Sequence, residues 1–226
     1  MSRNVQFAEG EFYHLYNRGT ERRNIFSLGK DYERFLSLLL LCNGTVPVDL
    51  KLHGKTLAAV KDIERGEPLI DIGAYCLMPN HFHLIVREKT KSGISRFMQK
   101  LTTGYTMYFN KRHERSGALF QGRFKAVHAN KDNYLSYLIS YIHLNPVKLI
   151  EPEWKTAGIK NHAQAAHFLK EYHYSSFPDY SGQERLEGII LQKNALPEYN
   201  ESPAAYEKSL AEWLNYKVQP SQILQG

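Results

Sequence analysis

"LIDIGAYCLMPNHFHLIVRE", residues 69–88, reads as two extended runs separated by two residues. Residues 69–79 and 81–88 carry the aliphatic and aromatic side chains of strands, and the Pro79-Asn80 break predicts a tight hairpin-like connection, although it is not the Asn-Gly of the preferred primed turns. The two strands should therefore be antiparallel neighbours. Alternation along the second puts His81 and His83 on one side and Phe82 and Leu84 on the other. Two imidazoles on one side suit a shared metal ion. They suit the polar face of a half-buried strand equally well, so the pair needs a third donor before it says anything.

Upstream of this hairpin, "EFYHLYNRG" (11–19) alternates bulky and polar residues and predicts a strand entering a turn. "KDYERFLSLLLLCNG" (30–44) has helical spacing and a stop at Asn43-Gly44, and the charged, weakly periodic stretch 45–68 reads as an insertion that need not join the core. Downstream, residues 92–115 open on a capping serine, and Ile94, Phe97, Met98, Leu101, Tyr105 and Tyr108 recur at helical spacing. "GALFQGRFKAVHA" (117–129) predicts a strand, and "KDNYLSYLISYIHLNP" (131–146) a helix ended by Pro146. Strand, helix, two strands, helix, strand and a further helix make the split β-α-β pattern. The expected fold is α+β, a ferredoxin-like antiparallel sheet with helices on one face. Residues 173–182 should close the domain, and 203–217 predict an amphipathic helix in a C-terminal extension.

Composition narrows the classes. With 42% hydrophobic and 23% charged residues the chain can bury a sizeable core. Its longest apolar stretch, residues 35–42, is far too short for a bilayer, and the opening residues have no apolar signal region. Two distant cysteines, Cys42 and Cys76, suit a reduced cytoplasmic setting. The net charge of +6 is unevenly spread: residues 87–131 carry eleven bases against two acids, whereas residues 181–226 carry six acids against four bases. A concentrated basic region is what a phosphate backbone attracts, though a solvated surface has the same composition.

The last core helix supplies the candidates that the histidine pair lacks. At 100° per residue, Leu135, Leu138, Ile139 and Ile142 share a face that must turn inward, while Tyr134, Tyr137, Tyr141 and Asn145 line a second face beside it. Tyr141 and Asn145 are one turn apart, so a hydroxyl nucleophile and an amide oxygen can meet one site. Tyrosines flanking an apolar stripe, with an asparagine ending a helix before proline, give the same pattern with no chemistry attached.

Six blocks, "YHLYNRG" (13–19), "YCLMPNHFHLIV" (75–86), "FMQKLTTGYTMYFNKRH" (97–113), "GALFQGRFKAVHA" (117–129), "YLSYLISYIHLNPVK" (134–148) and "YHYSSFPDY" (172–180), together resemble the single-tyrosine transposases of the HUH endonuclease superfamily. Within that superfamily they are most similar to the REP-associated tyrosine transposases and then to the insertion-sequence type. The resemblance runs in the family's order over residues 11–180, which makes 1–180 the transposase domain and 181–226 an extension. It implies an enzyme that cuts and rejoins single-stranded DNA beside hairpins through a 5′-phosphotyrosine. By the same resemblance His81, His83 and Asn145 hold a divalent ion, Mg²⁺ or Mn²⁺, and Tyr141 is the nucleophile. Nucleoid-associated DNA is the implied setting, and monomer and homodimer both remain open. A domesticated or inactive hairpin-binding protein of the same descent is the alternative. An unrelated histidine metallohydrolase ranks last, because "LIVRE" after His83 continues no hydrolytic metal cluster.

Arg18, Arg123 and Lys125 stand at strand ends where they can meet DNA phosphates. Tyr105, Tyr108 and Phe109 can stack on bases, but aromatics at helical spacing belong first to a core. His128 and His143 match no ligand position and read as structural.

Overall fold

The computed structural model of the chain describes residues 5–47, 49, 56–130, 132–196 and 202–215. Lys131 of the basic segment, and parts of the expected insertion (48, 50–55) and extension (197–201, 216–226), lie outside the described residues.

In chain order the elements are β1 (Phe12–Arg18), α1 (Gly29–Leu41), α2 (Leu57–Val60), β2 (Ile70–Met78), β3 (His81–Glu88), α3 (Gly93–Arg112), β4 (Lys125–His128), α4 (Asp132–Leu144), α5 (Trp154–Ala157), α6 (His162–Glu171), α7 (Phe177–Tyr180) and α8 (Pro203–Asn215). The sheet order is β2-β3-β1-β4 with every pairing antiparallel. Met78 pairs with His81, so the hairpin closes on Pro79-Asn80 as its sequence predicts. This is the expected antiparallel sheet of an α+β fold.

The pleat divides the sheet chemically. Tyr13, Leu15, Phe82, Leu84 and Val86 turn to one face and are buried in the core with residues of α1 and α3. Phe82 meets Phe35 of α1 at 5.1 Å between ring centroids, and Phe35 meets Tyr105 of α3 at 4.9 Å. Burying each such ring stabilises the fold by about 1.5–3 kcal/mol. Tyr105 and Phe109 are buried here, which accounts for their helical spacing without base stacking. The other face carries His14, His81 and His83, and α4 lies across it. Helices thus cover the sheet's second face as well as the first, the addition being the tyrosine-bearing helix.

Buried carboxylates cap both α3 and α1. Ser92 precedes α3 with φ +60° and makes no side-chain cap; the buried Glu88 carboxylate instead accepts from Gly93 N–H at 3.1 Å and Ile94 N–H at 3.2 Å. Gly93 is required there, because a Cβ would stand 2.2 Å from the Leu69 carbonyl. At α1, Asp31 accepts the backbone N–H groups of Ser27 (2.9 Å) and Leu28 (3.0 Å). Its other contacts are to Tyr108, Arg112 and His113 of the α3 end, at 3.3, 3.5 and 3.2 Å. One fully buried carboxylate therefore caps α1 and ties it to α3. Asp31→Ala is expected to lower unfolding stability by about 3–5 kcal/mol, read as a fall in urea midpoint at unchanged slope. A loss below about 1 kcal/mol would mean that Asp31 is only a solvated cap.

Three expectations about extent change. The strand expected over 117–129 is paired only at Lys125–His128, with an isolated bridge from Phe120 to Gly19. Gly117 (φ +81°) and Gly122 (φ +70°) take the left-handed region and break the extended run. Within 45–68, Leu57 and Val60 of α2 are buried in the core, so the described part of that stretch joins it. The extension after 180 likewise packs on the domain: Gln192 bonds both backbone groups of Ile72 on the outer edge of β2. Leu196 fills the space above Gly73, where β2 shifts register and a Cβ would lie 2.9 Å from the leucine. Arg185 binds Asp179, Tyr75 and the Ser175 carbonyl, and this segment covers an otherwise open sheet edge.

Candidate active site

The site is built on the second face of the sheet. His81 and His83 project from β3 with ring centroids 4.9 Å apart, as alternation requires. His81 Nδ1 is held by the Asn80 side-chain oxygen at 2.6 Å, and His83 Nδ1 shares a 2.9 Å hydrogen bond with His14 Nε2. Each ring therefore has its Nδ1 engaged and its Nε2 left as the nitrogen for a ligand.

His14 is the residue that sequence reading missed. It projects from β1 on the histidine side of the sheet, is fully buried, and stacks on both Tyr16 and His83 at 5.1 Å. Alternation in "YHLYNRG" already puts His14 and Tyr16 on one side. What the sequence cannot supply is the β1–β3 register, which sets Tyr16 opposite His83.

Burial, the largest influence, pushes the His14 and His81 imidazoles down to about 3 and His83 well below its usual value, with like charge from Lys155 adding to each. All three are neutral near pH 7, so their lone pairs are available to donors or a cation.

Tyr141 comes over these histidines from α4, its ring centroid 6.1 Å from His83 and 6.5 Å from His14. Its side chain is nearly closed off from solvent, and burial, then Tyr137 and Tyr16, raises its phenol well above the usual tyrosine range. Lys155 of α5 donates a 2.7 Å hydrogen bond to the phenol oxygen. Tyr134, Tyr137 and Tyr141 form a ladder along α4 at 6.1 and 6.2 Å. Asn145 is buried in the 3-10 turn that follows α4, and its Nδ2 donates to the Tyr141 carbonyl at 2.9 Å, turning the amide back along the helix. Among the described residues no set of three or more His, Cys, Asp or Glu is arranged to hold a metal. Among the described residues, a third ligand beside His81 and His83 would therefore come from a group other than His, Cys, Asp or Glu.

The basic candidates separate. Arg18 pairs opposite His81 in the sheet, and Lys125 stands 5.7 Å from the Tyr16 ring centroid, so both border the histidine face. Arg123 lines a groove against α3 with Asn17, Ser95, Gln99 and Thr102, away from Tyr141. His143 is fully buried between Tyr206 (2.5 Å) and Ser176 (2.7 Å), a hydrogen-bonded link between α4 and α8. His128 pairs with Glu11 at 2.7 Å on the surface. No helix among the described residues is long and apolar enough to cross a membrane.

Comparison with known proteins follows the same lines. Residues 55–145 match the family model described as IS200-like transposase. No curated protein sequence matches the chain. Among solved structures, a REP-associated tyrosine transposase bound to a REP hairpin superposes with a TM-score of 0.52 at 16% identity, over 83% of this chain and 90% of that one. At that identity the likeness is one of fold. A tRNA(His) guanylyltransferase from Saccharomyces cerevisiae aligns over 91% of this chain and 86% of its own at 12% identity, with a TM-score of 0.33 that is too loose to bear on fold or function. The family match runs from α2 through α4 and takes in His81, His83, Tyr141 and Asn145, so the stretch that carries the candidate site is similar to the IS200-like transposases.

Proposed function

We propose that this protein is a transposase, a metal-dependent single-stranded DNA endonuclease and strand transferase acting beside DNA hairpins through a 5′-phosphotyrosine on Tyr141. The observation that carries the reading is the Tyr141 hydroxyl, buried beside two neutral histidines whose outer nitrogens are uncommitted. The hairpin enters from the solved relative, which is bound to a REP hairpin. Arg18 at the end of β1 and Lys125 on the edge strand β4, both bordering the histidine face, support a phosphate backbone approaching it.

The donors fit a divalent ion. His81 and His83 would hold it through Nε2, with the Asn145 amide oxygen as the third ligand, and Mg²⁺ or Mn²⁺ there would supply positive charge against the charge that develops on the phosphate. The chain's own residues do the rest. Asn80 and His14 fix the tautomers and orientation of the two ligands. The Tyr141 oxygen attacks phosphorus and the departing strand leaves with a free 3′-hydroxyl. Because a phosphoester replaces a phosphoester, a new 3′-hydroxyl can reverse the step and join different ends. The presence of all four residues favours turnover over a purely binding descendant.

The test is covalent capture. A pool of single-stranded oligonucleotides carrying a hairpin and randomised flanks is incubated with the protein and Mn²⁺ or Mg²⁺, then run on a denaturing gel. A 3′-labelled pool is expected to yield labelled protein, a 5′-labelled pool only shortened free DNA, and chelation should abolish both. Capture of the 5′ label, capture that survives chelation, or no covalent species with either metal contradicts the proposal.

A further inference from the structure

We propose that Lys155 is the proton carrier of the reaction, taking the phenol proton as Tyr141 attacks and returning it when the link is resolved; the assignment rests on Tyr141 being the nucleophile. Lys155 lies outside the family match at residues 55–145, so it is no part of the motif that identifies the site. It comes from α5, a four-residue helix anchored by the buried Trp154, and its Nζ reaches the Tyr141 oxygen at 2.7 Å. The same nitrogen stands 4.5 Å from the Tyr141 ring centroid and 5.7 Å from that of Trp154, so the ammonium stem is walled by two aromatic faces.

The chemistry needs such a group. Burial raises the phenol, which therefore does not ionise unaided near neutrality, and the histidines at its side are proposed to be committed to a cation. Lys155 faces Lys148 from the 3-10 turn, the Cys76 thiol from β2, and the neutral His14, His81 and His83 from β1 and β3. Burial and then Lys148 bring its ammonium down to about 8, so part of the lysine is present as the amine near neutral pH.

In the cleavage direction the phenol proton passes to the Lys155 amine and the tyrosine oxygen's electron pair forms the O–P bond. The P–O3′ bond breaks with its electron pair left on O3′, which takes a proton from water. On rejoining, the incoming 3′-hydroxyl gives its proton to the hydroxide so formed, its oxygen bonds phosphorus, and the tyrosine oxygen leaves and recovers its proton from the Lys155 ammonium. Lysine and tyrosine both end as they began.

Capture rates at saturating DNA and metal, followed against pH, test this directly, with hairpin affinity measured in parallel by fluorescence anisotropy. Wild type is expected to accelerate through a midpoint near 8 and then level. Lys155→Met should react about 100-fold more slowly, lose that midpoint, and keep hairpin affinity within about twofold. Lys155→Arg, which keeps the charge but cannot accept the proton, should be equally slow. Wild-type speed and profile in Lys155→Met, or rescue by Lys155→Arg, overturns proton transfer while leaving Tyr141 as nucleophile. A wild-type profile without the midpoint overturns it even if neither variant folds. Absence of any wild-type capture instead removes the proposed function and this assignment with it.

Discussion

Tyr141→Phe is expected to bind hairpin DNA as wild type does and to form no covalent species, a loss of at least about 10⁴-fold in capture rate. The substitution removes only the oxygen. The ring remains to pack against His14 and His83, so the face keeps its shape. The cost to stability is one hydrogen bond from Lys155, about 1 kcal/mol. Tyr137, one turn earlier, is the residue that would betray a wrong choice, since it shares the ladder and is itself raised by burial. If Tyr141→Phe still captures DNA and Tyr137→Phe does not, the nucleophile has been misassigned by one turn of helix.

The histidines give the second large effect, and they should differ from each other. His81→Ala and His83→Ala are each expected to lower metal-dependent capture about 10³-fold, without recovery at millimolar Mn²⁺. His81 is partly exposed and its Nδ1 partner is the neighbouring Asn80, so its removal should leave the unfolding midpoint nearly unchanged. His83 is buried against His14, whose own Nδ1 already has no hydrogen-bond partner. Deleting His83 strands both nitrogens of a buried imidazole, which should cost about 1–3 kcal/mol besides the activity. Equal stability in the two variants, with activity retained in either, would argue that the pair is a structural feature of the strand.

The parts of this site that sequence reading reaches are those governed by a single element's period. Alternation puts His81 and His83 together, and helical spacing puts Tyr141 and Asn145 one turn apart; both follow from local geometry. Bringing the strand pair to the helix took the resemblance to a known family, because no local pattern says which helix lies over which face. His14 escaped because its partnership with His83 depends on register between strands nearly 70 residues apart. Lys155 escaped because α5 is too short to have a period, and its contact with Tyr141 is purely tertiary. The fold divides similarly. The hairpin and the helices α1, α3, α4 and α8 were legible, whereas the two glycines that cut β4 short act through backbone conformation, and the closing of the β2 edge by residues 172–196 has no periodic signature.

The proposed reaction rests on a covalent bond at one oxygen. Trypsin should release residues 132–148 as one peptide holding Tyr134, Tyr137 and Tyr141 together. Mass spectrometry of that peptide from captured, nuclease-trimmed complex is predicted to locate the nucleotide adduct on Tyr141 alone, through a 5′-phosphate. An adduct on Tyr137 or Tyr134, on any other peptide, or joined through a 3′-phosphate would contradict it.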